Sequence, residues 1–175
     1  MYNITLRHLL NRRSIRKYEA RKLPKELITL LLQAAMNAPS ACNQQCWHFI
    51  VIEDKKKMNE LSEIHGGYHT LKNAPVSILV CNEPGTAKLE CFVDQDCAAA
   101  TENILIAAEA LGLGALWMGV NQTSPGDSVI IRNVLNIPEE IKPFSFVALG
   151  YPTEQAQPQN KYDETKIHYD SFLNA

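Results

Sequence analysis

Asp94-Gln95-Asp96-Cys97-Ala98-Ala99-Ala100-Thr101-Glu102-Asn103-Ile104-Leu105-Ile106-Ala107-Ala108-Glu109-Ala110-Leu111-Gly112 is the stretch that decides the fold. Acids open it and alanines fill it. Carboxylates complement the positive end of a helix, and alanine has the highest helix propensity. Gly112 suits a C-cap, because glycine takes a left-handed conformation without steric cost. From Ile104 to Leu111 the run is apolar almost all round, which predicts a buried helix whose small side chains admit a close neighbour. Ala115-Leu116-Trp117-Met118-Gly119-Val120 follows as a buried strand, and this helix and strand are expected to form the core. Thr101-Glu102-Asn103 interrupts the apolar run well short of the roughly 20 residues a membrane span needs. Gly112-Leu113-Gly114 comes after a helix and lacks a third glycine at the right offset, so it is no dinucleotide fingerprint.

Upstream, Leu6, Leu9 and Leu10 have helical spacing and predict an amphipathic helix over roughly residues 3–11. The most charged stretch follows, with Arg12, Arg13, Arg16, Lys17, Arg21 and Lys22 placing six cations in eleven residues. It reads either as a solvated loop or as an anion site, where guanidinium forks and the Ser14 hydroxyl suit a phosphate monoester. Pro24 is suited to the first turn of a second helix carrying Leu27, Ile28, Leu31, Ala34 and Ala35, which ends before Pro39. The segment Pro39-Ser40-Ala41-Cys42-Asn43-Gln44-Gln45-Cys46-Trp47 is uncharged and dense in hydrogen-bonding groups. It suits the polar edge of a planar heterocycle, or equally an ordinary connection whose side chains cap backbone groups.

Phe49–Ile52, Val76–Cys81 and Phe144–Gly150 read as further strands. A helix capped by Asp54 carries Met58 and Leu61 inward, with Lys55, Lys56 and Lys57 as an exposed face, and Gly66-Gly67 ends it. Asn82 to Glu90 is loop-like and placed to cover a site, and Val129–Leu135 predicts a short helix. From Tyr151 onward the sequence is polar and rich in Pro and Gln, with too little apolar content to fold on its own face. A single domain over 1–175 is expected, with 151–175 as an extension that packs on a partner.

The net charge of -2 gives no reason to expect nucleic acid or a membrane surface as partner. Met1-Tyr2-Asn3-Ile4 shows no signal-peptide pattern, and five cysteines without repeated spacing read as reduced thiols, so a cytoplasmic protein is expected. Cys42 and Cys46 lack a second ligand pair, and Gly66-Gly67 separates His65 from His69, so no metal site is expected. No nucleophile elbow or phosphate loop occurs. Either the chain is not an enzyme or a cofactor carries the chemistry.

Several motifs, in order, resemble the nitroreductase family of FMN-dependent oxidoreductases. They are Arg12-Arg13-Ser14-Ile15-Arg16-Lys17-Tyr18, Ala38-Pro39-Ser40-Ala41-Cys42-Asn43-Gln44-Gln45-Cys46-Trp47-His48-Phe49, Ala74-Pro75-Val76, Leu111-Gly112-Leu113-Gly114, Trp117-Met118-Gly119 and Leu149-Gly150-Tyr151-Pro152. The resemblance implies an α+β fold: a central, mostly antiparallel sheet flanked by helices, as an intertwined homodimer. The long central helix would lie at the dimer interface, the C-terminal extension would reach onto the other subunit, and two FMN sites would each use both chains.

Carried over residue by residue, Arg12, Arg13 and Ser14 match positions that hold the FMN phosphate and ribityl chain, and Arg16 one beside the flavin pyrimidine edge. Pro39, Ser40, Asn43 and Gln45 match the loop that meets the ring from the other subunit. Met118 and Gly119 match the segment facing flavin N5. Lys161 alone remains, in Gln159-Asn160-Lys161, of a usual pair of C-terminal cations, and Cys46 stands where a proline is usual. The implied activity is reduction of a small electrophilic acceptor, such as a nitroaromatic or quinone, by NADH or NADPH in a ping-pong cycle, with no catalytic side chain of its own. The alternatives are flavin-dependent dehalogenation or fragmentation, a flavin-binding storage or sensor protein without turnover, and a thiol redox protein using Cys42 and Cys46.

Overall fold

The structure, a computed structural model, describes residues 3–120, 125–154, 156–157 and 159–172. Of the 151–175 extension, residues 155, 158 and 173–175 therefore lie outside the described residues. In chain order the elements are α1 (Ile4–Asn11), α2 (Lys25–Met36), β1 (Trp47–Ile52), α3 (Lys55–Ser62), β2 (Val76–Asn82), α4 (Val93–Ala110), β3 (Gly114–Gly119), α5 (Pro125–Leu135) and β4 (Lys142–Gly150). The strands form one antiparallel sheet in the order β1-β2-β4-β3. The α+β expectation is met.

Helices cover both faces of the sheet, which explains why β2 is buried along its whole length. Val76, Ile78 and Val80 turn towards α2 and α4, together with Val147 and Leu149 of β4. The alternate residues Leu79, Cys81, Phe146, Ala148 and Leu116 face α3, α5 and the 3-10 segment Gly66–Asn73. Period-two alternation thus builds two cores rather than one core and a wet face. Buried Ser77 donates to the Val147 carbonyl (3.1 Å), so its hydroxyl leaves no unmet bond there.

Local chemistry sets the ends as expected, with small shifts. Asp54 accepts from the Lys56 and Lys57 amides, and Met58 and Leu61 are fully buried. Pro24 is the N-cap of α2 rather than a first-turn residue. Leu111 caps α4, and Gly112 follows at φ +70° while the Leu113 amide returns to the Ala108 carbonyl (2.8 Å).

Two expectations need correction. α4 is not buried all round within the chain. Ile104, Leu105 and Ala108 are buried, but Ile106, Ala107 and Ala110 keep solvent access, because α2 covers only one flank of the helix. The segment Gly66–Asn73 is not a simple break after α3. It winds as a 3-10 turn that buries Tyr68 and Leu71 in the core on that face of the sheet.

All five cysteines are free thiols; Cys42 and Cys91 are exposed, and Cys46, Cys81 and Cys97 are buried. Burial pushes the Cys81 thiol up to about 12 and raises Cys97 as well. A raised thiol pKa binds its proton more tightly in the folded state. Its contribution to stability is complete below the ordinary thiol range and is lost as pH climbs from there towards about 12. Native protein at mildly alkaline pH is expected to give no more than two fast-reacting thiols, Cys91 and Cys42, with a colorimetric disulfide reagent and five after denaturation. Fast reaction of a third would contradict the burial.

Candidate functional site

The segment after α1 runs along the edge of the sheet. Ser14 forms a parallel bridge with Ala115, the Ile15 amide donates to the Ala115 carbonyl (2.9 Å), and Tyr18 bridges Pro152. Ile15 is buried, whereas Ser14 and Arg16 point outward on either side of it. The Tyr18 hydroxyl donates to the Ile15 carbonyl (2.6 Å), and burial holds the phenol protonated well above its usual range. A strand-like alternation therefore presents serine and arginine to solvent while apolar residues anchor the segment.

Arg12, Arg13, Ser14, Arg16 and Lys161 line a single cavity of about 340 Å³, with Gln159 beside them. These groups do different work. Arg12 pairs with Glu102 of α4 (3.3 Å). Arg13 donates to four carbonyls: Leu10 (3.0 Å), Arg12 (2.7 Å), Gln157 (3.1 Å) and Gln159 (3.2 Å). Its guanidinium fastens the extension to the turn after α1, a role its position in the motif did not announce. Arg16 and Lys161 have no ion pair among the described residues. A hydroxyl, guanidinium groups and an ammonium converging on one concavity form a donor set that fits a phosphate monoester.

Met118 and Gly119 lie at the other end of β3. Four residues beyond Ala115, Gly119 is about 13 Å further along the strand. Met118 is buried, while Gly119 is exposed and would meet nothing within 4 Å if it carried a Cβ. The Tyr68 hydroxyl holds the Gly119 carbonyl (3.2 Å). The backbone at Gly119 is thus fixed and approachable, as contact with a flat ring requires.

The loop from Pro39 to Gln45 is built unusually. Cys42, Asn43 and Gln45 have φ of 49°, 53° and 48°, left-handed conformations that residues with a side chain adopt at some cost. The loop is held by Asp96, a buried acid in the first turn of α4, which accepts from the Ala41 amide (2.9 Å) and the Gln44 side-chain amide (2.5 Å). Gln44 in turn accepts from the Leu89 amide (3.0 Å), and the Ser40 hydroxyl accepts from the Gln45 amide (3.1 Å). The 82–90 loop therefore braces this loop through Leu89. In sequence Asp96 reads only as a helix-start acid. Its spacing from the loop, more than fifty residues, hides the contact.

Pro39, Asn43 and Gln45 present exposed side chains, with Ser40 half-buried, but none of them lines the cation cavity. The geometry of α4 explains the separation. Asp96 holds the loop and Glu102 holds Arg12, and six helical residues put these acids roughly 9 Å apart along the axis and about 240° around it. The helix stands between the two halves of the expected site.

Cys46 is buried, and burial followed by the Asp96 carboxylate pushes its thiol above the ordinary value. A protonated, inaccessible thiol is a poor nucleophile, so the geometry disfavours thiol exchange between Cys42 and Cys46.

The sequence model of the Nitroreductase family matches residues 9–67 and 65–151. A protein of Methanothermobacter thermautotrophicus, provisionally named an NADH dehydrogenase/NAD(P)H nitroreductase, is 43% identical over 162 residues, 92% of this chain and 84% of its own length. A crystal structure from Parabacteroides distasonis with the same provisional name superposes with a TM-score of 0.92 at 36% identity, covering 97% of this chain and 99% of that one. The FMN-dependent nitroreductase of Clostridium difficile R20291 superposes with a TM-score of 0.87 at 32% identity, covering 94% and 98%.

Proposed function

The chain belongs to the nitroreductase family, and from that premise we infer that it is an FMN-dependent NAD(P)H oxidoreductase. The observation that carries this reading is the convergence of Arg12, Ser14, Arg16 and Lys161, from both ends of the chain, on one cavity of about 340 Å³. FMN, when bound, supplies the electron chemistry between a nicotinamide donor and a small electrophilic acceptor such as a nitroaromatic or a quinone.

The chain's own residues bind and orient. Arg12, kept in place by Glu102, holds the phosphate together with Lys161 and the Ser14 hydroxyl. Arg16 brings a fixed positive charge to the region where charge grows on reduction. Gly119 lets the ring meet backbone, and Tyr68 keeps that backbone from shifting. Ser40, Asn43 and Gln45 offer hydroxyl and amide groups to the ring's polar edge. Donor and acceptor use the same place in turn, a ping-pong cycle in which positioning does the work.

The Pro39–Gln45 loop comes from a second copy of the chain. Three features support this homodimer: α1 buries none of its residues although Leu6, Leu9 and Leu10 form an apolar face; α4 leaves Ile106 and Ala107 accessible; and Tyr169 and Phe172 of the extension are about four-fifths exposed, at 80% and 77%. A lone chain rarely leaves that much apolar surface wet. Unpaired thiols suit a cytoplasmic setting.

An absorption spectrum of the purified protein, followed by anaerobic NADH and then NADPH, tests the activity. Flavin absorbance that bleaches establishes the oxidoreductase and names its donor. Flavin that neither donor bleaches indicates a binding protein without turnover, and a colourless protein that takes up no FMN overturns the reading. Arg16→Ala is expected to weaken FMN binding about 10- to 150-fold, since it removes a charge-assisted contact of about 1.5–3 kcal/mol. Titration of flavin-stripped protein with FMN measures this, and an unchanged affinity contradicts the placement of Arg16.

A further inference from the structure

A second, larger cavity of about 600 Å³ lies on the other side of the Arg12–Tyr18 segment. Arg16, Lys17, Lys22, Lys55 and Lys72 line it, with Glu53 as its one acid. The segments that build it meet where β1 ends and β2 begins, which the strand pairing places at the opposite end of the sheet from Gly119. It is therefore not where the ring meets β3, and it shares only Arg16 with the phosphate cavity.

With Arg16 committed to the flavin, four lysines and a single acid still face this concavity, out of keeping with a chain whose net charge is -2. Arg16, Lys22 and Lys72 have no ion pair among the described residues, and Lys17 reaches Glu154 only at 3.7 Å. Lys55 is turned from the lysine run of α3 to donate to the Ala74 carbonyl (2.5 Å), and burial lowers its pKa. Lys55 is exposed, as expected for the lysine run, while its ammonium is tied to the Ala74 carbonyl. Like charges gathered around a low-dielectric wall raise the local potential and favour an anion there. A monoanion would leave most of that charge unmatched. Tyr18, Ala20 and Pro75 add an apolar wall, and Asn73 adds an amide.

We propose that this cavity binds a phosphate-bearing small molecule of the nucleotide class, at a site separate from the flavin phosphate. The cations take the phosphate oxygens, and the Tyr18–Pro75 wall takes the sugar or base. The assignment rests on the cavity's own residues and stands whether or not the nicotinamide donor is the source of the phosphate.

Calorimetric titration of the FMN-loaded protein with 2′,5′-ADP, 5′-AMP and inorganic phosphate tests it. The nucleotides are expected to bind without releasing flavin, and Lys22→Gln with Lys72→Gln to weaken that binding at least tenfold. Lys25→Gln with Lys56→Gln, which replaces exposed lysines outside the cavity, should leave it within twofold. Flavin absorbance reports in each case that the fold and its cofactor are intact. Tighter binding of 2′,5′-ADP than of 5′-AMP identifies a 2′-phosphate donor as the source, and equal binding identifies a general nucleotide site. Inorganic phosphate binding as tightly as the nucleotides removes the apolar wall and overturns the nucleotide class. Absence of nucleotide binding at millimolar concentration, equal weakening by both pairs of variants, or displacement of flavin overturns the site.

Discussion

Gly150→Ala is expected to lower the melting temperature by about 6–12 °C and to strip the protein of flavin. A Cβ at Gly150 would sit 2.7 Å from Cδ and 2.9 Å from Cγ of Pro75, and 2.9 Å from Cβ of Tyr18. None of these atoms is the far end of a flexible side chain, so the backbone must move. Overpacking of this kind costs about 3 kcal/mol, and in a domain of this size each kcal/mol is worth about 2–4 °C. The direction of movement matters for function. Tyr18 bridges Pro152 and anchors the segment that carries Arg12, Ser14 and Arg16, so the phosphate cavity is displaced with it. Gly114 faces Gly150 across the β3–β4 pair and has the same relation to Ile15, whose Cγ2 and Cβ would lie 2.6 Å and 2.9 Å from an added methyl group. Scanning calorimetry and flavin content of both variants check the expectation. A melting temperature within about 2 °C of the parent, with full flavin, would show that the segment accommodates the methyl groups.

Asp96→Ala is expected to cost about 3 kcal/mol and to abolish binding functions of the Pro39–Gln45 loop. Each hydrogen bond to a charged group is worth about 1.5–3 kcal/mol, and two are lost here, with water recovering part of the sum. The consequence exceeds the energy. Cys42, Asn43 and Gln45 occupy left-handed conformations that persist only while the surroundings over-determine them, and Asp96 with Gln44 is the main restraint. Asp96→Asn makes a sharper test. Gln44 accepts from the Leu89 amide through its oxygen, so its NH2 group must face residue 96. An asparagine keeps one acceptor for the Ala41 amide but cannot satisfy that geometry with its own NH2 towards Gln44. Denaturant unfolding and FMN titration should rank parent above Asp96→Asn above Asp96→Ala. Equal loop order in all three, measured by proteolysis near residue 42, would show that the loop holds itself.

The elements were legible because their signals are local. Asp54 before Met58 and Leu61, alternation in Val76–Cys81 and the alanine run after Asp94 each declare their structure within a turn or two. What stayed hidden depends on residues far apart in the chain. That Arg13 also fastens the extension is invisible until Gln157 and Gln159 are brought to it, 144 and 146 residues on. Lys55 is indistinguishable from Lys56 in sequence, and only the position of Ala74 separates them. The all-round burial expected of α4 failed within the chain because apolarity reports that a face will be covered, not by which molecule. The site residues were found through motif resemblance, and the cavity supports the grouping of Arg12, Arg13, Ser14, Arg16 and Lys161, while Pro39, Ser40, Asn43 and Gln45 stand on the other side of α4.

The bridge between Ser14 and Ala115 also sets a timetable. A ribosome adding about 5–20 residues per second takes on the order of 5–20 s to make the hundred residues between these partners. Throughout that interval the arginine turn has no sheet edge to dock on, and Leu6, Leu9 and Leu10 wait beside it. Gln157, Gln159 and Lys161 arrive later still. Long-range closure of this sort is slow and comes last in folding. The cation cavity, and any capture of a phosphate in it, therefore waits for residues 157–161 to reach the turn after α1.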